Sequence, residues 1–347
     1  SVPMSRLLEG DVGSGKTLVA VSVMAHVLHH HAQCALMVPT EVLARQHAAS
    51  VSRTLLQFHT YLQNTASESI KNFPLPRVAL LTGSMTAAES DTVRDGLMNG
   101  TVDIVVGTHA LIEDKVQFRD LRLVIIDEQH RFGVNQRRRL REKGSPHLLS
   151  MTATPIPRTL ALTAYGDHDL SVLLEKPGRR QAIDTTVVNP KNRKTVELFI
   201  RQQLGEGRQA FVICPLIEES DELADVRNVT AEADRLRESF PEFTVALLHG
   251  KMDSAEKQRI MQDFRDKKSH LLVSTSVIEV GIDVPNSTII SIEGAERFGL
   301  AQLHQLRVCV GRGDFKSYCF LFTSNPSQAE SPRLKAMEKY DSGFLLA

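Results

Sequence analysis

Short apolar runs alternate with helical patterns along the whole chain. Apolar runs of about four to eight residues are typical of buried strands. The first half contains five such runs, QCALMVP, VALLTG, VDIVVGT, LRLVIID and HLLSMTAT, with helices predicted at 17–28 and 41–56. The second half contains six, IDTTVV, QAFVICPL, FTVALLH, HLLVSTS, STIISIE and SYCFLFT, with helices predicted at 194–204 and 255–264. This alternation predicts an α/β fold with a mostly parallel sheet in each half.

A break in the pattern suggests where one domain ends and the next begins. At about 100–200 residues per domain, 347 residues predict two domains. The segment LEKPGRR at 174–180 places Pro and Gly among charged residues, which favours a hinge. We predict a first domain at 1–175, a linker at 176–184, a second domain at 185–330, a truncated helical element at 331–347 and an exposed loop at 64–76.

Composition limits the class of protein without choosing a partner. Lys and Arg number 41, as do Asp and Glu, so net charge neither supports nor excludes nucleic-acid binding. No apolar run approaches about 18 residues, so no membrane span is expected. The start, SVPMSRLLEG, lacks the apolar core of a signal peptide, and we expect a fragment cut just upstream of residue 10. Free thiols in a reducing cytoplasm are expected at Cys34, Cys214, Cys309 and Cys319.

The segment GDVGSGKT at 10–17 carries the first chemical signal. It matches G-x-x-x-x-G-K-[ST] at every fixed position. Backbone N–H groups of such a loop converge on phosphate oxygens at the start of a helix. Lys16 is expected to reach the β- and γ-phosphates, and the Thr17 hydroxyl to ligate Mg²⁺. The predicted nucleotide-binding residues are Gly10, Asp11, Val12, Gly13, Ser14, Gly15, Lys16 and Thr17.

Two adjacent carboxylates, Asp127 and Glu128, follow the apolar run LRLVII and carry the second signal. Ligands of open α/β sheets bind at the carboxyl ends of the strands. There, Asp127 would hold Mg²⁺, and Glu128 would orient and deprotonate an attacking water. Together with the phosphate loop, the pair predicts an NTP-driven motor. The hydroxyl-rich strand end at 150–155 could link the nucleotide site to a moving partner.

The histidine run at 29–31, with His26 one turn earlier, has two interpretations. His26 and His30 have the helical spacing of a metal pair. Adjacent side chains on a helix diverge, and no thiol or carboxylate motif joins them. A polar helix end is therefore favoured over a metal site.

The order of motifs resembles that of superfamily-2 helicases, and more narrowly of the RecG family. The resemblance covers nearly the whole chain. It is carried by GDVGSGKT, PTEVLARQH (39–47), VVGTHALI (105–112), VIIDEQHRFGV (124–134), MTATPIPRTLALTAYGD (151–167), LIEES (216–220), LLHGKM (247–252), VSTSVIEVGIDVPN (273–286) and ERFGLAQLHQLR (296–307). It implies two tandem RecA-like domains of the P-loop NTPase fold, with ATP and Mg²⁺ in the cleft and DNA across both.

The resemblance also implies roles for individual residues. Gly281 and Asp283 would face the nucleotide from the second domain, and Gln305 and Arg312 would approach the phosphates, Arg312 as an arginine finger. The implied nucleic-acid contacts are Pro39, Thr40, Arg45, Gln46, Thr108, His109, His249, Thr275 and Glu279. The implied coupling residues are His130, Thr152, Thr154 and Arg158.

The resemblance further implies a monomer that acts on forked or branched DNA, away from membranes, in a bacterial-type cytoplasm or a plant organelle. The adenine-contacting region and the wedge domain of the family lie outside this sequence. We therefore expect weak nucleotide selectivity and little fork regression by this chain alone.

One segment departs from the family pattern Gln-x-x-Gly-Arg-x-Gly-Arg. Here it reads QLRVCVGR at 305–312, with Val308 in place of a glycine and Cys309 in place of an arginine. A neutral thiol cannot stabilise phosphate charge, and a β-branched residue lacks the backbone freedom of glycine. The hypothesis is slow ATP hydrolysis, unless Arg307 or Arg312 compensates.

Several other functions stay open at this point. One is a nucleic-acid-binding module that keeps ATP as a conformational switch. Another is a duplex translocase like the transcription-repair coupling factor, and a third is a motor that acts on RNA. A P-loop kinase or transporter ATPase is disfavoured by the second repeat of strands and by the segment at 305–312.

Overall fold

A computed structural model describes residues 2–11, 13–65, 73–129, 132, 136, 139–140, 142–153, 168–174, 182–215, 222–275, 284–311 and 313–341. The chain divides into two units, Ser1–Lys176 and Pro177–Ala347. Each has a central sheet whose described strand pairings are all parallel, with helices between the strands. The predicted α/β class with a parallel sheet in each half is confirmed.

The first unit has a seven-stranded sheet in the order β3-β4-β2-β5-β6-β1-β7. Its elements are β1 (Ser5–Gly10), α1 (Lys16–His29), β2 (Gln33–Met37), α2 (Glu41–Thr65), β3 (Val78–Leu81), α3 (Ala87–Asn99), β4 (Ile104–Gly107), a 3-10 turn (His109–Ile112), β5 (Leu121–Ile126), β6 (His147–Thr152) and β7 (Asp169–Leu173). The strand that precedes the phosphate loop, β1, thus lies between β6 and β7, and one strand separates it from β5.

The second unit has a six-stranded sheet in the order β10-β11-β9-β12-β13-β8. Its strands are β8 (Ile183–Val188), β9 (Gln209–Cys214), β10 (Val245–Leu248), β11 (Leu271–Thr275), β12 (Ser287–Ile292) and β13 (Ser317–Phe322). Its helices are α4 (Arg193–Gly205), α5 (Glu222–Ser239), α6 (Ser254–Arg265), α7 (Leu300–Arg307), α8 (Pro326–Ala329) and α9 (Pro332–Lys339), with 3-10 turns at Pro190–Asn192 and Ala295–Arg297.

Burial on both faces explains the continuous apolar strands. Every residue of β2, β4, β9 and β12 is buried, as expected where helices cover both sides of a parallel sheet. Alternate residues of β9 enter different cores. Phe211 and Ile213 pack in one cluster with α6, α7 and α9, whereas Ala210 and Val212 pack in the other with α4 and α5. Side chains of a strand point alternately to its two faces.

The structure corrects several details of the sequence interpretation. Strands β1 and β7 were not predicted, because SRLLEG and DLSVL mix charged and polar residues with few apolar ones. Helix α2 continues to Thr65 rather than residue 56, so the predicted loop at 64–76 begins too early. Residues 175–181 lie outside the described residues, and the domain boundaries stay predictions. Among the described helices, none is long and apolar enough to cross a membrane.

In each sheet, a buried glutamine is the first residue of the strand at the equivalent position, which is β2 in the first unit and β9 in the second. Gln33, at the start of β2, donates through Nε2 to Leu97 O (2.9 Å) and Val102 O (2.8 Å). Gln209, at the start of β9, donates through Nε2 to Phe264 O (2.6 Å) and Ser269 O (2.8 Å). Each amide oxygen accepts from the segment before the next strand, Asp120 N in one unit and Asn286 Nδ2 in the other. Each glutamine side chain thus links the segments that lead into neighbouring strands at the amino-terminal edge of its sheet.

Replacing Gln209 by leucine is expected to destabilise the second unit. The substitution leaves the carbonyls of Phe264 and Ser269 buried without their donor, which costs about 2–4 kcal/mol in the free energy of unfolding. Urea unfolding followed by circular dichroism measures this loss. Gln202→Leu, on the exposed face of α4, is the matched control and should change the free energy by less than about 0.5 kcal/mol. Equal urea midpoints for Gln209→Leu and Gln202→Leu would contradict the stabilising role of Gln209.

Candidate functional site

The phosphate loop connects β1 to α1 through two glycines in the left-handed region. Gly13 has φ +83° and Gly15 has φ +95°, and Gly15 immediately precedes the first residue of the helix. Such backbone angles are strained for any residue with a Cβ atom. Gly10 is needed for a different reason, because a Cβ there would lie 2.4 Å from Ser14 Oγ. The loop therefore folds tightly over the end of β1.

Lys16 lies partly buried beneath this loop. Its Nζ donates to Gly10 O (2.6 Å) and Asp11 O (3.0 Å). Burial lowers the pKa of Lys16, and the nearby carboxylates of Asp127, Glu128 and Asp11 act in the opposite direction. A cation at the end of β1 thus lies within electrostatic reach of two carboxylates at the end of β5, although β6 separates the two strands.

Asp127 is buried at the end of β5 and is held by three neighbours. Its backbone N–H donates to Met37 O (2.9 Å), its Oδ1 accepts from Glu128 N (3.1 Å), and its Oδ2 lies 3.2 Å from His47 Nε2. Burial acts to raise the pKa of Asp127. The hydrogen bond and charge of His47, with Lys16 and the Glu128 N–H, outweigh burial and hold this pKa below its usual range. The carboxylate is therefore ionised.

Glu128 adopts a backbone conformation that few non-glycine residues adopt. Its φ is +50° and its side chain is buried. The left-handed region costs an L-residue about 1–2 kcal/mol, and residues in sparsely populated conformations cluster at functional sites. The Glu128 carboxylate lies within electrostatic range of Lys16, whose pKa it acts to raise.

This arrangement fits a nucleotide triphosphate with a divalent cation. Lys16 supplies a positive charge, Asp127 supplies an ionised oxygen ligand, and Thr17 is the second residue of α1, directly after Lys16. Ser14 Oγ is buried, and none of the described residues bonds to it, so it has a free donor for a phosphate oxygen. Glu128 completes the set as a carboxylate able to take a proton from water.

A second group of predicted residues follows the carboxyl ends of β2 and β4, which are neighbours in the sheet. Thr40 precedes α2, and its Oγ1 accepts from Leu43 N (3.4 Å). Thr108 and His109 follow β4, with Thr108 buried and His109 exposed. The His109 ring also approaches Gly83, which follows β3. Its Nε2 atom lies 3.9 Å from the position that a Cβ atom on Gly83 would occupy. The structure thus brings the predicted residues of the first unit to one edge.

Several of these buried polar groups lack a bond to any described residue. They are Gln46 Oε1, Thr108 Oγ1, both amide atoms of Gln129, and Ser150 Oγ. Buried polar atoms without partners are rare in native proteins and point to a bound ligand or to a second conformation. Their positions along one sheet edge agree with a site that binds ligands and changes shape.

Three residues near this edge were missed by sequence reasoning. His47 contacts Asp127. Glu41 accepts from Ser84 N (3.0 Å) and Ser84 Oγ (2.6 Å), which ties the loop after β3 to the start of α2. The segment PTEVLARQH contained the signal for His47, because this polar residue lies on the buried face of an amphipathic helix. Nothing in the sequence marked Ser84.

In the second unit, the predicted residues with described positions lie at the carboxyl ends of strands or on α7. His249 follows β10, Thr275 ends β11, and Gln305 lies in α7. His249 Nδ1, Thr275 Oγ1 and Gln305 Nε2 are buried, with no hydrogen bond to a described residue. The second unit therefore also presents buried polar groups at the edge where ligands of α/β sheets bind.

The segment at 305–312 corrects two expectations. Val308 has φ −79° and ψ 3°, which any residue adopts, so no glycine is required there. Arg307 cannot compensate for Cys309, because it is fully buried and donates to Met337 O (2.8 Å) and Thr185 Oγ1 (3.4 Å). Cys309 is 5% exposed and donates through Sγ to Gln305 O (3.4 Å). All four cysteines are buried free thiols, as predicted.

Other predicted residues lie outside the described residues. They are Val12, His130, Thr154, Arg158, Glu279, Gly281, Asp283 and Arg312. The histidine run is described, and the rings of His26 and His30 meet edge to face with centroids 5.0 Å apart. Among the described side chains, no group of three or more His, Cys, Asp or Glu could hold a metal ion.

Two family models match the chain. The DEAD/DEAH box helicase model matches residues 4–163, and the helicase conserved C-terminal domain matches residues 190–314. Each match lies within one of the two parallel-sheet units. The chain therefore has the tandem RecA-like architecture of helicases, as the motif order implied.

Curated relatives match nearly the whole chain. ATP-dependent DNA helicase RecG of Synechocystis sp. is 49% identical over 99% of this chain and 40% of its own length. The protein of the same name from Streptococcus pneumoniae is also 49% identical, over 99% of this chain and 49% of its own length. The chain spans at most about half the length of these relatives.

Solved structures agree with the sequence matches. A structure of RecG bound to a three-way DNA junction is 40% identical, with a TM-score of 0.74 over 99% of this chain and 43% of that chain. The structure of S. cerevisiae Dbp5 bound to RNA and ADP BeF3 has a TM-score of 0.67 at 17% identity, over 98% of this chain and 84% of that chain. The second likeness shows the fold alone.

Replacing Lys16 by alanine is expected to weaken binding of a nucleoside triphosphate by about 10- to 100-fold, since a hydrogen bond to a charged group is worth about 1.5–3 kcal/mol. Fluorescence anisotropy of a labelled ATP analogue measures the affinity. Lys115→Ala, at an exposed position of the same unit, is the control and should bind as the parent does. Unchanged affinity of the Lys16 variant would exclude this loop as the phosphate site.

Proposed function

Because the chain belongs to the RecG family of superfamily-2 helicases, we propose that it is the motor of an ATP-dependent DNA translocase. The reaction is hydrolysis of ATP, coupled to movement along duplex DNA that is forked or branched. Such a motor serves recombination and repair of DNA. It acts as a monomer in a bacterial-type cytoplasm, or in an organelle if the source is a plant.

The observation that carries this proposal is that the carboxylates of Asp127 and Glu128 lie within electrostatic reach of Lys16 at one sheet edge. Lys16 binds the β- and γ-phosphates, with the backbone N–H groups of residues 10–17 around them. Thr17 and Asp127 would hold Mg²⁺, which would supply neutralising charge at the phosphates. Glu128 orients the attacking water and accepts its proton.

Resemblance to the family assigns further roles to residues of the second unit. Gly281 and Asp283 would contact the nucleotide, and Gln305 and Arg312 would approach the γ-phosphate. An arginine finger such as Arg312 is worth about 10³–10⁵ in rate. His130, Thr152, Thr154 and Arg158 couple the nucleotide state to movement of the DNA-contacting loops.

The proposed strand path follows the carboxyl-edge loops of both sheets. Its contacts are Pro39, Thr40, Arg45, Gln46, Thr108, His109, His249, Thr275 and Glu279. Hydroxyl and backbone contacts to phosphates do not read sequence, which suits a motor that must step along any DNA. Branched DNA is favoured as substrate because the 40%-identical RecG structure is bound to a three-way junction.

ATP turnover is expected to rise when branched DNA is added, and Glu128→Gln should remove that turnover. Loss of the proton acceptor lowers the rate by about 100-fold or more, while nucleotide binding persists. ATP turnover is measured as phosphate release with a three-way junction, linear duplex or RNA of equal length, all at one salt concentration. These measurements test both the stimulation by branched DNA and the loss of turnover in Glu128→Gln. The salt concentration is kept the same because salt by itself changes the affinity of a protein for nucleic-acid phosphates.

The matched control is Glu238→Gln, at an exposed position of α5, which should turn over ATP like the parent. A parent chain whose turnover is unchanged by any nucleic acid would refute the motor. Stimulation by RNA alone would refute DNA as its track.

A module with weakened ATPase is the second candidate, favoured by Cys309. The buried thiol carries no charge toward a phosphate, and the burial of Arg307 leaves it unable to substitute. Such a chain would bind ATP and DNA and use the nucleotide mainly as a conformational switch.

Cys309→Arg is expected to raise DNA-stimulated turnover about tenfold, because it restores a cation that favours developing phosphate charge. Steady-state phosphate release measures the rate. Cys309→Ser removes the thiol without adding charge and should stay near the parent rate. Equal rates for the parent and the arginine variant would sink the weakened-motor interpretation.

A further inference from the structure

His47 in α2 contacts the carboxylate that the proposed function assigns to Mg²⁺. Its Nε2 lies 3.2 Å from Asp127 Oδ2, and the two side chains are 13% and 11% exposed. The other oxygen, Oδ1, accepts from Glu128 N at 3.1 Å. Both oxygens of Asp127 thus have protein neighbours, and one of these belongs to a separate helix.

The position of His47 on α2 explains this contact. Leu43 lies four residues before it and Val51 four residues after it, and both are buried. Side chains four residues apart share one face of a helix. His47 therefore lies on the core-facing stripe, where a polar ring needs a partner. Asp127 is that partner, so α2 is tied to the end of β5.

The first two turns of α2 also carry contacts of the loop edge. Thr40 caps the helix through Leu43 N, and Glu41 holds both Ser84 N and Ser84 Oγ. His47 is seven residues from Thr40, or about 10 Å along the axis of a helix. One rigid element thus joins the loops after β2 and β3 to the carboxylate of Asp127.

We infer that His47 is a positioning residue that transmits nucleic-acid contact at the start of α2 to Asp127. Phosphate contacts to the first turn of α2 fix the helix, and His47 then holds the carboxylate in its metal-binding orientation. His47 touches no reacting atom and acts only through Asp127. The inference rests on the proposed function, because it requires DNA at the loop edge and Mg²⁺ at Asp127.

The test compares His47→Leu and His47→Gln with the parent chain. His47→Leu should raise the Mg²⁺ concentration for half-maximal binding of labelled ADP about tenfold, the lower end of the cost of losing an outer partner of a metal ligand. The ratio of ATP turnover with and without a three-way junction should fall by a similar factor of about ten. His47→Gln keeps an amide donor and should recover most of both losses.

The matched control is His59→Leu, on the same helix, where the ring Nδ1 lies 3.0 Å from Phe73 O. It should leave the Mg²⁺ requirement and the stimulation ratio at parent values. Thermal unfolding followed by circular dichroism confirms that all variants fold.

The possible results distinguish failure of the role inferred for His47 from failure of the proposed motor function. Parent-like Mg²⁺ binding and stimulation in His47→Leu would overturn the inference and leave the motor intact. A lower unfolding temperature with no change in Mg²⁺ requirement would show a purely structural role and would also overturn it. Failure of DNA to stimulate the parent would instead overturn the proposed function.

Discussion

A partly buried lysine that needs anions organises the first unit. Lys16 lies under the loop after β1, with its charge balanced by carboxylates that arrive from another strand. Because β1, β6 and β5 run parallel, the carboxyl ends of β1 and β5 lie at the same edge of the sheet. The tight loop at Gly10, the left-handed turn at Glu128 and the contact from His47 all serve this one electrostatic arrangement. In the proposed function, Lys16 would exchange the backbone carbonyls of Gly10 and Asp11 for phosphate oxygens.

The sequence predicted the parts of this arrangement that depend on local pattern. All eleven strands predicted from the apolar runs occur in the structure. In β2, β4, β9 and β12, burial on both faces leaves little room for polar residues. The phosphate loop and the Asp127-Glu128 pair were found because their residue types are fixed by chemistry. Strands β1 and β7 were not found, since a short strand beside the loop or at the sheet edge tolerates polar residues.

What the sequence could not give was contact between distant residues. His47 and Asp127 are 80 residues apart (127 − 47), and no spacing rule predicts that they meet. The burial of Arg307 by α9 was equally hidden, because arginine is normally read as a surface residue or a ligand of phosphate. In both cases a charged or polar side chain lies on the inner face of a helix. That position, rather than residue type, is the signal to look for in related chains.

The burial of all four thiols has a practical meaning for experiments on this protein. Burial raises the pKa of Cys34, Cys214 and Cys319, the last to about 12, so these thiols stay protonated and slow to react at neutral pH. A single cysteine introduced at an exposed turn would be labelled almost alone. Gln33 and Gln209 form hydrogen bonds to turns near Asn99 and Lys267. These turns lie at the amino-terminal edge of each sheet, opposite the carboxyl edge that carries the predicted site residues. Paired dyes at those two turns would test whether the distance between the units changes when ATP is added, in a chain whose other cysteines are native.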